Sequence, residues 1–403
     1  MKSRSWSRKS VLACGIISLL ARGAAGAQAA PAKSPAIVLV DGADAAQWQT
    51  WTKDLGWQVI APAGPEGRPA ANANIDVRVQ ALASAAEGAI RNAGVDPARV
   101  YLAGRGSAAA VVFYAISRVP DLWAAGIALG GSPKPAVDTN RLFTANFTNA
   151  PVLWIGEAGD QALAEKLKST GLNLEWRLAS GTTNGDAFQW LARQQRDEFP
   201  AAIDCETNSP AFARCYWIRM AKFDASERND VLPSTRVAGG SGASLDLGAF
   251  VYSATDPGPG VLVSHLPEKY GGPLKMGDRI VALDGKPIQD ARQFAETMEQ
   301  IVEEKPAVAL VQRGKERIRV ETRIVLPKRD SAVTARVQAQ YSPAEKEIQI
   351  ISRTVTEMRV TVPPAWTPAT LYWNGLSLQD VKTPGCYALK VEKELLHAAP
   401  CEN

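Results

Sequence analysis

The sequence predicts an α/β protein with a doubly wound, mainly parallel sheet in its N-terminal half. A further compact unit and then an all-β unit with one buried face follow it. Three observations predict this. Short apolar runs alternate with helical stretches from Ala36 to Arg196, as parallel strands joined by right-handed crossovers require. Period-two alternation replaces that pattern after residue 330. A Gly- and Ser-rich break over Pro233 to Ser244 precedes a segment with its own complete set of strand and helix signals.

Taken in order, Ile37–Val40 is a β-branched strand ending in Asp41-Gly42, and Trp57–Ala61 is a second, closed by loop residues from Pro62 to Pro69. Ile75 to Ala93 has helical spacing and few breakers. Val100–Ala103 leads into a helix over about Gly106 to Arg118. Gly126–Leu129, Val152–Ile155 and Leu174–Ala179 are the fourth to sixth strands, with helices near Gln161–Ser169 and Asp186–Arg193. Tyr216 to Met220 reads as one strand. Val337–Tyr341, Glu347–Ile350, Met358–Val362 and Leu371–Trp373 alternate polar and apolar positions, and Asn374-Gly375 is a turn signal.

Residues 1–27 read as a secretory leader. Lys2, Arg4, Arg8 and Lys9 precede the apolar run Val11–Ala21, which is too short to span a bilayer, and Ala25-Gly26-Ala27 is a small-residue cleavage site. The chain carries 45 basic and 41 acidic residues; the leader holds five basic residues and no acid, leaving 40 against 41, about −1. Nothing basic remains to imply nucleic acid or an anionic membrane. Export to the periplasm or outside the cell is expected, with no membrane span after cleavage. The four cysteines beyond the leader are Cys205, Cys215, Cys386 and Cys401, an even set that suggests disulfides. Cys205–Cys215 and Cys386–Cys401 close the shortest loops, though spacing alone leaves the connectivity open. Zinc is disfavoured because no Cys-x-x-Cys spacing is present, and no metal or cofactor is expected.

The stretch Asp96-Pro97-Ala98-Arg99-Val100-Tyr101-Leu102-Ala103-Gly104-Arg105-Gly106-Ser107-Ala108-Ala109 resembles the nucleophile elbow of α/β-hydrolases, especially bacterial esterase and polyhydroxybutyrate-depolymerase-like enzymes. The resemblance continues through Tyr114–Ala125 and Asp186–Pro200, so a hydrolase-like domain over 31–199 is implied. The family elbow is Gly-x-Ser-x-Gly on a sharp strand-to-helix turn. Here Gly106 stands at the nucleophile position and Ala108 at the last. Ser107 falls one residue late, where a helix-capping role is expected. The family's base lies in the loop after the last strand; that loop is Ser180–Gly185 and holds no histidine. The chain's two histidines, His265 and His397, fall elsewhere. Asp160 matches the acid position but has no histidine to orient, so a surface or capping role is expected. Asp41-Gly42 replaces the His-Gly of many relatives, and a carboxylate there would repel an oxyanion. Loss of nucleophile or base alone lowers turnover by roughly a million-fold.

Residues 244–327 resemble a PDZ domain of the periplasmic HtrA-protease type. The motifs are Asp246-Leu247-Gly248-Ala249-Phe250, Gly258–Val263 and Gly271-Gly272-Pro273-Leu274-Lys275-Met276-Gly277-Asp278-Arg279-Ile280-Val281-Ala282-Leu283-Asp284-Gly285-Lys286-Pro287, followed by a helix over Asp290–Val302. The resemblance implies binding of a peptide or a protein C-terminus by strand addition, with loop amides holding the terminal carboxylate. Asp246, Leu247, Gly248 and Ala249 match that loop; Phe250, Val251 and Tyr252 match the edge strand; Ala291, Ala295 and Met298 match the helix wall. Asp246 opposes carboxylate binding unless it points away. Residues 200–232 and 330–403 resemble the small β-domain that follows the hydrolase fold in the esterase-like relatives. The insertion then sits in one of its loops, with Gly239–Gly242 as a hinge.

The leading functional expectation is an exported, non-catalytic protein that binds a peptide or C-terminus. An active serine-independent hydrolase using Asp41, Glu157 and Asp160 is the enzymatic alternative. A purely structural envelope partner is the third, and a buried groove would favour it.

Overall fold

The computed structural model describes residues 33–62, 75–92, 94–253, 256–392 and 395–401. The expected leader and most of the Pro62–Pro69 loop lie outside these described residues.

The first layer system is a six-stranded parallel sheet in the order β2-β1-β3-β4-β5-β6. Its strands are β1 (Ser34–Leu39), β2 (Gln58–Ile60), β3 (Val95–Arg105), β4 (Ala125–Leu129), β5 (Val152–Gly156) and β6 (Leu174–Leu178). The helices between them are α1 (Ala45–Thr52), α2 (Ile75–Asn92), α3 (Ala109–Ile116), α4 (Lys134–Asp138), α5 (Gln161–Ser169) and α6 (Asn184–Ala192). Both faces of the sheet are covered. Val38, Leu102 and Trp154 pack with α2 and α3 on one side, while Ile37, Tyr101 and Leu153 pack with Trp48 and Phe188 on the other. That double burial is why these strands read as continuous apolar runs. Strand order reverses between β1 and β3, so the sheet has a switch point where loops diverge from neighbouring carboxyl ends.

The C-terminal part is antiparallel apart from one parallel pair. One five-stranded sheet runs β21-β20-β18-β17-β7 and a second runs β23-β22-β19-β9-β8. These comprise β7 (Ala202–Thr207), β8 (Arg214–Cys215), β9 (Ile218–Phe223), β17 (Ala335–Ser342), β18 (Glu347–Arg353), β19 (Val355–Val362), β20 (Ala369–Trp373), β21 (Leu376–Val381), β22 (Gly385–Glu392) and β23 (Leu395–Pro400). Their inner faces share one core, including Val337, Ile348 and Leu371 from one sheet and Ile218, Met358 and Val360 from the other. β7 pairs with β17 and β9 with β19, so 202–223 and 335–400 form a single sandwich across the intervening chain. Disulfides join Cys205 to Cys215, linking the two sheets, and Cys386 to Cys401, with Cα separations of 6.0 and 5.3 Å.

The intervening segment forms its own sheet, β10-β16-β15-β13-β12-β11 with β14 on β13. Here β10 is Ser244–Leu245, β11 Val251–Tyr252, β12 Val261–His265, β13 Arg279–Leu283, β14 Lys286–Pro287, β15 Lys305–Arg313 and β16 Glu316–Val325. Helix α7 (Ala291–Glu299) starts at Asp290, whose side chain accepts from the Gln293 amide at 2.8 Å. Phe294 and Met298 of α7 complete a separate core with Leu245, Val261, Ile280 and Val311.

Several local expectations change. Tyr216–Met220 is not one strand: Tyr216, with φ +53°, and Trp217 form a two-residue turn that folds Cys215 of β8 back on Ile218, and β9 begins only there. Alternation could not expose this, because both arms keep the same inward pattern. α7 ends at Glu299, where Ser241 Oγ donates to the Met298 carbonyl at 2.7 Å and terminates the helix before Val302. The Gly239–Gly242 segment is therefore a pinned connection: its serine is engaged, and a Cβ on Gly239 would lie 2.6 Å from the Val137 carbonyl oxygen. The Asp41, Glu157 and Asp160 loops follow β1 and β5 as expected.

Candidate functional site

Two places combine exposure with special backbone. The first is the end of β3. Gly106 has φ +56°, a conformation that L side chains adopt only with strain, and it turns the strand into the one-turn 3₁₀ segment Gly106–Ala108 that leads into α3. A Cβ at Gly106 would meet nothing within 4 Å. The elbow geometry is thus present at the position where the sequence lacks a nucleophile. The carbonyl below is packed tightly, since a Cβ on Gly131 would lie 2.0 Å from the Gly106 oxygen. Ser107 is exposed and caps neither helical segment through its side chain, correcting the capping expectation: the chain enters α3 by backbone bonding, with the Ala109 amide on the Gly106 carbonyl.

The neighbouring carboxylates are committed to backbone. Asp41 Oδ1 accepts from the Ala43 amide at 3.0 Å and caps the turn Gly42–Asp44. Asp160 Oδ2 accepts from the Glu157 amide at 3.0 Å in a capping box at the end of β5. Burial pushes the Asp160 carboxyl above its ordinary value, although that amide bond opposes the shift. Neither histidine is near this sheet in the fold: His265 ends β12 and His397 lies on β23, both exposed. Among the described residues, then, the arrangement offers an elbow without nucleophile or imidazole.

The second place is a groove between the edge strand β11 and α7. It encloses about 300 Å³ and is lined on one side by Gly248, Ala249, Phe250 and Tyr252 and on the other by Phe294, Ala295 and Met298. Tyr252 meets Phe294 edge-to-face at 5.8 Å. Gly248 has φ +79°, and a Cβ there would press on the Tyr270 ring at 2.9 Å. The Tyr270 hydroxyl donates to the Leu247 carbonyl and holds the loop from beneath. Upstream amides are spent within the fold: Asp246 donates to Arg323 and Leu247 to Leu245, each at 2.8 Å. The next three amides, of Gly248, Ala249 and Phe250, make no hydrogen bond among the described residues. Gly248 and Ala249 are exposed, so this run of donors faces solvent at the groove's end.

Of the ten residues the sequence singles out, Gly248, Ala249, Phe250, Tyr252, Ala295 and Met298 line the groove. Asp246 does not; it is exposed, and its carbonyl accepts from Thr322 of β16 at 3.0 Å. Leu247 is buried in the core, Val251 alternates outward at 54% exposed, and Ala291 is buried at the start of α7. Sequence reasoning missed Lys134 and Asp138, which line the same groove from α4. Lys134 Nζ lies 3.1 Å from Asp138 and 3.4 Å from Glu299 of α7, a bridge across 165 residues that no local signal announces.

No protein-family model and no characterised protein sequence matches the chain. Solved structures do. The chain is similar to the esterase PE8, with 20% identity over 40% of this chain and 91% of that one, at a TM-score of 0.30. It is similar to a thermostable esterase, with 16% identity over 41% of this chain and 56% of that one, at 0.29. A putative dienelactone hydrolase from Klebsiella pneumoniae subsp. pneumoniae MGH 78578 gives 16% identity over 41% and 90%, at 0.31. The α/β architecture rests on the strand order and parallel register, independently of these likenesses. No helix among the described residues is long and apolar enough to cross a membrane.

Proposed function

We propose that this chain is an exported, non-catalytic binding protein. In this reading 244–327 is a PDZ-type domain that holds a peptide or protein C-terminus, and the α/β-hydrolase-like half is its scaffold. The observation that carries the reading is the groove itself: three successive unbonded amides at one end and an apolar trough between an edge strand and a helix. A peptide adding to β11 would pair its backbone with that strand, place its last side chain between Tyr252 and Met298, and set its carboxylate on the amides of Gly248–Phe250. The solvent-facing loop favours a binding role over a purely structural one. Gly106 and the capping of Asp41 and Asp160 support the absence of hydrolase chemistry. The two disulfides suit an oxidising compartment.

The test is fluorescence anisotropy of the purified protein against a library of labelled peptides with free apolar C-termini, each beside its C-terminal amide. Charge-assisted hydrogen bonds contribute about 1.5–3 kcal/mol, so amidation should weaken binding by roughly ten-fold or more. Equal affinity for acid and amide, or no binding across the library, would sink the proposal. In parallel, hydrolysis of short-chain p-nitrophenyl esters should not exceed that of a heat-denatured control.

A further inference from the structure

We propose a second, independent ligand site: a pocket for a phosphate-type oxyanion where the two connections to the inserted unit meet the sandwich. A cavity of about 300 Å³ lies there, lined by Arg228 and Arg236 from the outgoing connection, Ser331 and Thr334 from the returning one, and Arg353 and Thr354 from the corner between β18 and β19. Asp230 is the one carboxylate in its lining, against three guanidinium groups.

The cations are held but not used up. Arg236 spends Nη2 on Asp330 at 3.4 Å and on the Ala332 carbonyl at 3.2 Å, and its guanidinium lies 5.4 Å from the Phe143 ring centre. Arg353 spends Nη2 on Glu206 at 3.4 Å and on Thr334. Neither Nη1 has a hydrogen-bond partner among the described residues, and neither is a sealed atom, whereas both Nε groups are buried without partners. Arg228 is exposed, and its side chain makes no hydrogen bond or ion pair among the described residues. Thus two anchored guanidinium groups and the exposed one of Arg228 line the same cavity. That arrangement suits the several oxygens of a phosphate better than a single planar carboxylate, which pairs best with one complete fork.

The backbone marks the same place. Thr354 has φ +63°, an outlier for a β-branched residue, and it is 4% exposed with its hydroxyl unbonded. Strain and unsatisfied polar groups concentrated around one cavity are the signature of a site whose surroundings hold it in shape. An oxyanion here would bridge Arg228 and Arg236 on one connection to Arg353 on the sandwich, fixing the insert's anchorage.

The experiment is thermal unfolding of the full chain with inorganic phosphate, with glycerol 3-phosphate, and with sodium chloride at matched ionic strength. Flotation with phosphatidylcholine vesicles, with and without phosphatidic acid, accompanies it. The proposal expects a saturable rise in Tm with either soluble phosphate beyond that of chloride. Arg228→Gln, a surface change with no bond to lose, should weaken the apparent affinity about ten-fold while leaving the unliganded Tm unchanged. Flotation with phosphatidic acid that Arg228→Gln abolishes would identify a lipid headgroup as the source of the phosphate; no flotation together with the Tm rise would identify a free phosphate. A Tm response no greater than chloride's without Arg228-dependent flotation, or a saturable response that Arg228→Gln leaves intact, would overturn the site.

Discussion

Glu206 is the buried charge on which the junction of the three structural units turns, and replacing it by glutamine should show this. The residue lies one position before the end of β7 and is 0% exposed. Its carboxylate accepts from Ser234 Oγ at 2.5 Å, the Thr235 amide at 2.6 Å, Thr235 Oγ1 at 2.7 Å, Thr334 Oγ1, and Arg353 Nη2 at 3.4 Å. Its own backbone exchanges bonds with Asn146 of the first sheet's flank, at 2.6 and 2.8 Å. In Glu206→Gln one acceptor becomes an NH₂ donor facing donors. Ser234, Thr334 and Arg353 all donate to Oε1, and the Thr235 amide and hydroxyl to Oε2, so the new NH₂ takes the Oε1 place, where the two hydroxyls turn to accept from it and the Thr235 amide keeps its acceptor. Arg353 is left facing a donor without its counter-charge, and breaking a buried pair costs about 3–5 kcal/mol, which is the expected loss. Urea unfolding followed by tryptophan fluorescence reads it, because Trp217, Trp366 and Trp373 lie in the sandwich core. A loss below about 1 kcal/mol would mean that the neighbouring hydroxyls satisfy the junction without the charge, and the reasoning would fail.

Gly106→Ser has room for its side chain but not the right backbone energy: a non-glycine residue at φ +56° should lower stability by about 1–2 kcal/mol and give no esterase turnover above the parent, since no imidazole is present to activate it; ester hydrolysis and a melting curve on one preparation test both. Ala295→Trp, placed on the groove-lining face of α7, should abolish binding of free-acid peptides while the melting temperature stays within a few degrees, as anisotropy and calorimetry would show. Asp278 gives a pH prediction. Burial by itself would raise its carboxyl, but Arg313 at 2.7 and 2.9 Å and the Lys275 amide at 2.7 Å outweigh it and hold it below the ordinary carboxylate value. A depressed folded value means that this contribution is full above the unfolded pKa of about 4 and is lost as pH falls through the folded one. Asp278→Asn should therefore be less stable at neutral pH, and its stability should fall less steeply than the parent's on acidification below pH 4; parallel pH dependences would contradict the assignment.

Much of this architecture was legible because burial writes itself into sequence period. The strands β1, β3, β4 and β5 are apolar on both faces and were read as continuous runs, while Val337–Tyr341 and Met358–Val362 alternate because one face meets the sandwich core. Gly106 and Gly248 both adopt a positive φ, which glycine alone takes at little cost. What stayed hidden depends on contacts between distant segments. Lys134 reaches the groove from α4, Glu206 is charged yet fully enclosed, and Arg236, Arg353 and Thr354 meet around one cavity from separate strands and connections. Each is an unremarkable polar residue until the chain closes around it. The Tyr216 turn stayed hidden for a different reason: a tight hairpin with matched arms leaves the period-two pattern intact.

The turn at Gly106 shows what packing alone demands of this position. The turn after β3 must redirect the chain from strand to helix within one 3₁₀ turn, and Gly131 must pass under the Gly106 carbonyl where a Cβ would stand only 2.0 Å away. Those constraints hold whether or not a nucleophile is present, so the left-handed backbone at residue 106 persists as a requirement of the sheet and α3. A serine there would hold the same geometry at an energetic cost of about 1–3 kcal/mol, justified in an enzyme by the attack it positions. Without an imidazole in this half of the chain that strain would stabilise nothing, and glycine relieves it while keeping the turn. On the proposed non-catalytic reading, glycine at 106 and the lack of a histidine in this half of the chain are one physical circumstance: the lowest-energy residue for a forced positive φ is glycine.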